Sequence, residues 1–202
     1  MKSAVRTLAE LGEDVVLAPE RHVALENTHD GVPLGAIVLE RNERALPDEH
    51  ASAIVLDTTH ARDGIVDLAA AMRVTAPPKS AKKIARPGDL LVSRLRPYLR
   101  QIALVRPAHR VLAVSTEFYV LAPREKDEDL AWLLPFLLGE STQAILAAAQ
   151  EGGHHPRVPR STLFAIRVPH ALHRARRAKA RAVEAALDAL YEATERYRAE
   201  LR

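Results

Sequence analysis

Between Lys79 and Tyr119 the chain is cut into short apolar runs by turn residues, a punctuation that predicts short strands. Pro87-Gly88-Asp89 is the sharpest cut, because proline fixes φ, glycine supplies a positive φ and aspartate can bond its own backbone. Leu90-Leu91-Val92 follows at once and is expected to be a strand with little solvent exposure. Ser93-Arg94-Leu95-Arg96-Pro97-Tyr98 leaves that strand, and Pro97 cannot serve in a central ladder. Two more apolar runs, 102–105 and 118–121, are expected to support it as strands.

Positive charge gathers in the same region. From Lys79 to Arg110, Lys79, Lys82, Lys83, Arg86, Arg94, Arg96, Arg100, Arg106 and Arg110 stand against Asp89 alone, although the whole chain carries a net charge of only +3. Basic side chains are thus expected on a loop at a strand end, where rigid scaffolds commonly display binding residues. Charge so clustered points to a polyanionic partner.

A length of 202 residues with 48% hydrophobic content is enough for one core of ordinary size plus an appended arm. Without cysteine, disulfides, zinc-thiolate sites and thiol catalysis are excluded. No window approaches the roughly 20 apolar residues of a membrane span, and the first 14 residues lack a signal-peptide core, so a soluble, cytoplasmic protein without membrane contact is expected.

In chain order, 7–11 reads as a short helix and 14–17 as an extended piece, with a loop to residue 35. Strands are expected at 34–39 and 53–56, a turn at Arg62-Asp63-Gly64, a short apolar run at 65–68, and a break at Pro77-Pro78. Asp127-Glu128-Asp129 favours a helix start, with Pro135 tolerated in its first turn or at a kink. Ser141 is a candidate cap for a helix over 142–150, which Gly152-Gly153 stops. A basic loop, 154–161, then leads to a last strand over 163–168.

After Pro169 the composition turns to Ala, Arg, Glu and Leu without proline or glycine. Val183, Leu187, Leu190, Thr194, Tyr197 and Leu201 are spaced alternately four and three apart, the a/d pattern of a coiled-coil seam. Three heptads do not sustain an isolated helix, so this stripe must bury itself on the domain or on another helix.

Catalytic motifs are hard to find. No phosphate-cradling glycine loop, nucleophile elbow or His-Glu-x-x-His motif is present. Ser93 and Ser115 lack a partnering base at a diagnostic spacing, and Asp57 with His60 or Asp63 is ordinary turn chemistry. His154-His155 could ligate a metal or serve a small hydrolase, but adjacent side chains diverge and Pro156 marks a turn.

Nucleic-acid binding explains more residues together. An arginine fork can grip phosphate or read guanine O6 and N7. Arg94, Arg96, Tyr98 and Arg100 are the leading DNA contacts, with Lys82, Lys83, Arg157 and Arg160 supporting them on phosphates. With 4% aromatic content a stacking platform for single strands is disfavoured, and duplex DNA is the better partner. The competing reading is a non-catalytic adaptor or regulator whose basic face binds an acidic protein and whose helix zips to a partner.

The order of motifs also resembles the target recognition domain of Type I restriction-modification specificity subunits. The resemblance rests on the segment from Pro87 to Pro97, on Ser115-Thr116-Glu117-Phe118-Tyr119-Val120-Leu121, on the helix pair, on Gly152-Gly153 and Pro156-Arg157-Val158-Pro159-Arg160-Ser161-Thr162-Leu163, and on Ile166-Arg167-Val168-Pro169. It implies an α/β (α+β) globular recognition domain with a mixed β-sheet over residues 1–169, followed over 170–202 by a long C-terminal helix of coiled-coil type that spaces and docks partners. It further implies a non-enzymatic specificity component that binds double-stranded DNA and directs a methyltransferase subunit and a restriction subunit. No cofactor is then bound by this chain, and S-adenosylmethionine and ATP belong to the partners. Family members usually carry two such domains, whereas this sequence carries one. A homodimer through the C-terminal helix would restore two half-sites and require a gapped palindrome. The stretch after Pro169 also lacks the proline-rich, Glu-Gln-containing lead-in usual for that helix.

Overall fold

The computed structural model describes residues 30–45, 53–74, 81–107, 111–152 and 155–201. The helix expected at 7–11, the extended piece at 14–17 and the Pro77-Pro78 break lie outside the described residues. The described residues begin with β1 (Gly31–Pro33), a helical turn (Leu34–Ile37), β2 (Val38–Glu40) and β3 (Arg44–Ala45). β4 (Ile54–Leu56) leads through a 3₁₀ turn (Thr58–His60) to β5 (Ala61–Arg62), β6 (Ile65–Val66) and the helix Leu68–Met72. Then come β7 (Lys82–Ala85), β8 (Leu90–Ser93), a second 3₁₀ turn (Pro97–Leu99), β9 (Ile102–Leu104), β10 (Leu112–Val114) and β11 (Phe118–Pro123). Helices Leu133–Leu138, Glu140–Ala148 and Arg160–Ala165 precede β12 (Arg167–Pro169), and helices His170–Arg174 and Arg176–Glu200 close the chain.

Two four-stranded sheets form the body. One, ordered β2-β11-β8-β9, is antiparallel throughout. The other, β3-β7-β10-β4, is mixed, since β4 runs parallel to β10 while the remaining pairs are antiparallel. The α/β architecture with a mixed sheet and a long C-terminal helix is therefore the one expected.

The first sheet is covered on both faces. Leu90, Val92, Ile102, Leu104, Tyr119 and Leu121 pack with Trp132, Leu133, Leu137, Leu146 and Leu163 of the helical layer. The alternate residues Leu91, Ala103, Val105, Phe118 and Val120 pack with Ile54, Leu56, Leu112 and Val114 of the mixed sheet. A strand buried on both faces has no polar side, and its sequence is continuously apolar for that reason.

Both turn signals are realised. Gly88 takes φ +87°, and the Asp89 carboxylate, 1% exposed, accepts the Arg86 N–H at 2.9 Å and both Nε and Nη2 of Arg41 at 2.8 and 3.1 Å. Asp63 and Gly64, at φ +46° and +95°, close the β5–β6 hairpin with Arg62 opposite Ile65, the left-handed pair that a two-residue hairpin loop requires.

Other expectations are corrected. The strand at 34–39 is interrupted, because Leu34–Ile37 makes a helical turn before β2. Residues 163–165 of the strand expected at 163–168 lie in a helix, Arg160–Ala165, which follows an extended Pro159 at its N-cap, and only Arg167–Pro169 is paired to β1. Ser141 caps nothing: its helix begins one residue earlier, with Gly139 at the cap position. Pro135 does fall in the first turn of Leu133–Leu138.

The C-terminal helix lies along its own domain. Ala180 and Leu187 are buried, Val183 and Tyr191 are partly buried against the same cluster, and the Tyr191 hydroxyl accepts the Val66 N–H at 2.9 Å. Arg106 pairs with Glu184 and Asp188, and Arg198 with Asp67 at 2.9 Å. The docked stripe, 180-183-187-191-198, departs from the a/d seam because a straight helix drifts relative to a strict heptad. Leu190, Tyr197 and Leu201 are left outside it, at 44%, 65% and 67% exposed. Tyr191→Phe leaves the Val66 N–H without its acceptor and is expected to cost about 1–2 kcal/mol, read as a lower urea midpoint at unchanged slope.

Candidate nucleic-acid interface

Because the first sheet has no polar face, its charged residues collect at strand ends. The β8–β11 register sets Ser93 opposite Phe118, which places the loop leaving β8 beside the turn entering β11. The Arg94 N–H donates to the Glu117 carbonyl at 3.0 Å. The 155–158 segment then runs along the same loop: the Val158 N–H donates to the Arg94 carbonyl at 2.8 Å, Leu95 bridges Arg157, and the Arg96 N–H reaches the Pro156 carbonyl at 3.3 Å. The Tyr119 hydroxyl donates to the Val158 carbonyl at 2.7 Å and fixes this segment from below.

Two carboxylates order the cations here. Glu117 accepts Nε of Arg94 at 2.8 Å and, through both oxygens, Nε and Nη2 of Arg157 at 3.0 and 2.7 Å. The Arg157 hydrogen bonds, aided by Arg94 and opposed by burial, hold the Glu117 carboxyl down to about 2. Glu40 likewise accepts Lys83 Nζ at 2.8 Å and Arg160 Nε at 2.9 Å. The Arg160 guanidinium also lies 4.1 Å from the centre of the Phe164 ring. Tyr119 sits between the two clusters, with Lys83 Nζ 5.9 Å from its ring centre; burial, the dominant influence, raises its hydroxyl pKa.

The eight proposed DNA contacts separate into distinct situations. Arg96 and Tyr98 are exposed, and among the described residues neither side chain has a polar partner. Arg94, Arg157 and Arg160 are partly exposed and held in fixed orientation by the two glutamates. Arg100 anchors the base of the loop, donating to Asp63 at 2.6 Å and to the Leu138 carbonyl at 2.9 Å. Lys82 lies on β7 with its ammonium 3.8 Å from Asp57. Lys83 is the correction: it is 5% exposed, and its ammonium is held between Glu40 and the Phe118 carbonyl, a structural ion pair with no face for a phosphate.

Sequence reasoning does not reach Glu40 or the ion-pairing role of Glu117, which it takes as a structural turn residue with base contact as the lesser alternative; a glutamate bounding a basic loop on the neighbouring strand is the available signal. For catalysis the arrangement offers little. The Ser93 hydroxyl is engaged with the Leu95 backbone, His155 is exposed, and His154 lies outside the described residues. Among the described residues no group of three or more His, Asp or Glu side chains is placed to hold a metal ion.

No family model matches the sequence, and no curated protein matches it. Solved structures do. A chain from a structure of the type I R-M system, described for its complex assembly and conformational transition, superposes with a TM-score of 0.57 at 25% identity, over 86% of this chain and 46% of that one. The HsdS subunit from Thermoanaerobacter tengcongensis superposes with a TM-score of 0.50 at 24% identity, over 84% of this chain and 44% of that one. The chain thus spans about half the length of the solved chains it matches. Its fold is that of a target recognition domain of a Type I specificity subunit.

Glu117→Gln is expected to lower stability at neutral pH by about 1–2 kcal/mol, a figure discounted for solvent screening at partly exposed arginines. The folded carboxyl titrates below its ordinary value of 4.5, so its stabilisation is complete above that value and fades as pH falls toward 2. Denaturation of both proteins across that range should show the difference between them vanish at the acid end.

Proposed function

We propose that this chain, with the fold of a Type I target recognition domain, reads one half of a bipartite duplex DNA site and confers that specificity on a partner methyltransferase and, through it, on a restriction subunit. The observation that carries this reading is the convergence of the 93–100 loop and the 155–160 segment at one sheet end, where Arg94, Arg157 and Arg160 are pre-oriented and the exposed Arg96 and Tyr98 have no polar side-chain partner among the described residues. Guanidiniums held in a fixed plane lose less freedom on meeting phosphate or guanine, while unpaired ones at the tip reach deepest. The chain itself would do no chemistry. S-adenosylmethionine and ATP would belong to the partners.

Selection of bound duplexes from a randomised pool, with the purified chain alone and then with any methyltransferase encoded beside it, tests this directly. Enrichment of a defined motif is the expected result; unenriched pools at moderate salt would sink it. Within an enriched motif, Arg96→Ala is expected to weaken binding by about 1–3 kcal/mol and to relax preference at one position. Uniform weakening across all sequences would make Arg96 a phosphate contact instead.

A homodimer through the C-terminal helix belongs to the same reading. Val183 and Leu187 are committed to the helix's own domain, so a second copy would meet Leu190, Tyr197 and Leu201. Two copies related by a two-fold axis would read a gapped palindrome. Leu190→Lys combined with Tyr197→Lys should halve the mass seen by light scattering, leave the far-ultraviolet circular dichroism unchanged, and reduce the selected motif to a single half.

A further inference from the structure

We propose that Tyr98, backed by Leu99, is a rigid wedge that inserts at a base step of the bound duplex and unstacks it; this rests on the reading of the chain as a duplex-DNA reader. Tyr98 and Leu99 are 61% and 37% exposed and adjacent, at the tip of the loop that carries Arg94 and Arg96. Among the described residues the Tyr98 hydroxyl has no hydrogen-bond partner, so nothing in the domain accounts for an aromatic ring held outward.

The mount of that ring is unusually constrained. Arg96 (φ +44°, ψ +63°) and Arg100 (φ +53°, ψ +37°) both take left-handed backbone, one on each side of the Pro97–Leu99 turn. Side-chain-bearing residues hold that conformation at a cost, which persists only where the surroundings over-determine it. Three separate elements do so. The Arg96 N–H is tied to the Pro156 carbonyl, the Arg100 guanidinium to the Leu138 carbonyl at the end of its helix, and Arg100 again to Asp63 of the β5–β6 hairpin, whose own N–H donates to the Arg100 carbonyl at 3.1 Å. Pro97 is buried beneath the turn, and the Leu99 and Arg100 N–H groups close back onto the Arg96 and Pro97 carbonyls at 2.9 Å each.

A wedge must push against base stacking without folding back on itself, and a turn pinned on three sides meets that requirement where a mobile loop would not. The cationic rim selects the partner. Arg94 and Arg96 precede the apolar pair on the same loop, and Arg157 lies on the segment bridged to it at Leu95, so cations that attract phosphates share the loop with the inserting side chain. A tyrosine serving only to bond a phosphate or a base edge would depend on its hydroxyl; a wedge depends on the ring.

The test uses the full chain, with whatever methyltransferase the selection required, and a duplex of the selected sequence carrying thymine at successive positions. Permanganate oxidises unstacked thymine, and fluorescence anisotropy reports saturation independently. One base step is expected to become reactive on binding. Tyr98→Phe should keep that reactivity, whereas Tyr98→Ala combined with Leu99→Ala should abolish it and bind roughly tenfold more weakly. Both residues are surface-exposed, so the variants should keep the parent's melting transition. Saturated duplex with no reactive step, or reactivity that survives the double substitution, overturns the wedge while leaving the DNA-reading function intact. A chain that raises the anisotropy of no duplex removes both.

Discussion

The central antiparallel sheet is buried on both faces, and everything functional in this chain follows from where that leaves its polar groups. A strand such as Leu90–Ser93, with all four residues buried, can place charge only beyond its ends. At one end Asp89 takes the Arg41 fork and the Arg86 N–H, closing the turn that starts the strand. At the other, the antiparallel register sets the departing loop next to the turn entering β11, so Arg94 and Glu117 meet without any long-range search. The position of the basic loop is thus a consequence of apolar packing.

Glu117 and Glu40 extend this logic between elements far apart in sequence. Each carboxylate accepts from two cations, Arg94 with Arg157 in one case and Lys83 with Arg160 in the other. Side chains at the Glu40 pair differ sharply in exposure: Lys83 and Glu40 are nearly buried, while Arg160 remains half in water. The buried member serves the fold and the exposed member inherits a fixed position. The same acid therefore links core integrity to the geometry of the surface.

Strands and turns whose causes are local were legible in the sequence. The runs at 54–56, 90–92, 102–104 and 118–121 are strands, and Asp63-Gly64 and Pro87-Gly88-Asp89 turn as their residues dictate. Elements whose causes lie elsewhere were not. Lys82–Ala85 is a strand despite its charges, because Glu40, 43 residues away, neutralises Lys83 inside the structure. Residues 163–165 belong to a helix although their apolar run is too short to declare a period, and Leu163 of that helix packs into the core. The C-terminal seam was legible as a spacing, but not its division: the docked stripe includes Ala180 and Tyr191, which the heptad omits, and excludes Leu190 and Tyr197, which it contains.

The interface shows the same limit in sharper form. Arg94, Arg96, Arg157 and Arg160 are indistinguishable as letters, yet among the described residues only Arg96 of these four has no carboxylate partner. A guanidinium already bonded to glutamate gains less from a phosphate, since it must share or surrender a charge-assisted bond, but it is presented in one orientation. A free one gains the full contact and gives up its rotamer freedom to make it. On the proposed DNA-reading function, holding Arg94, Arg157 and Arg160 by carboxylates and leaving Arg96 beside Tyr98 puts orientation where register would be set. That division is written by two glutamates, Glu40 from a distant strand and Glu117 from the turn entering β11.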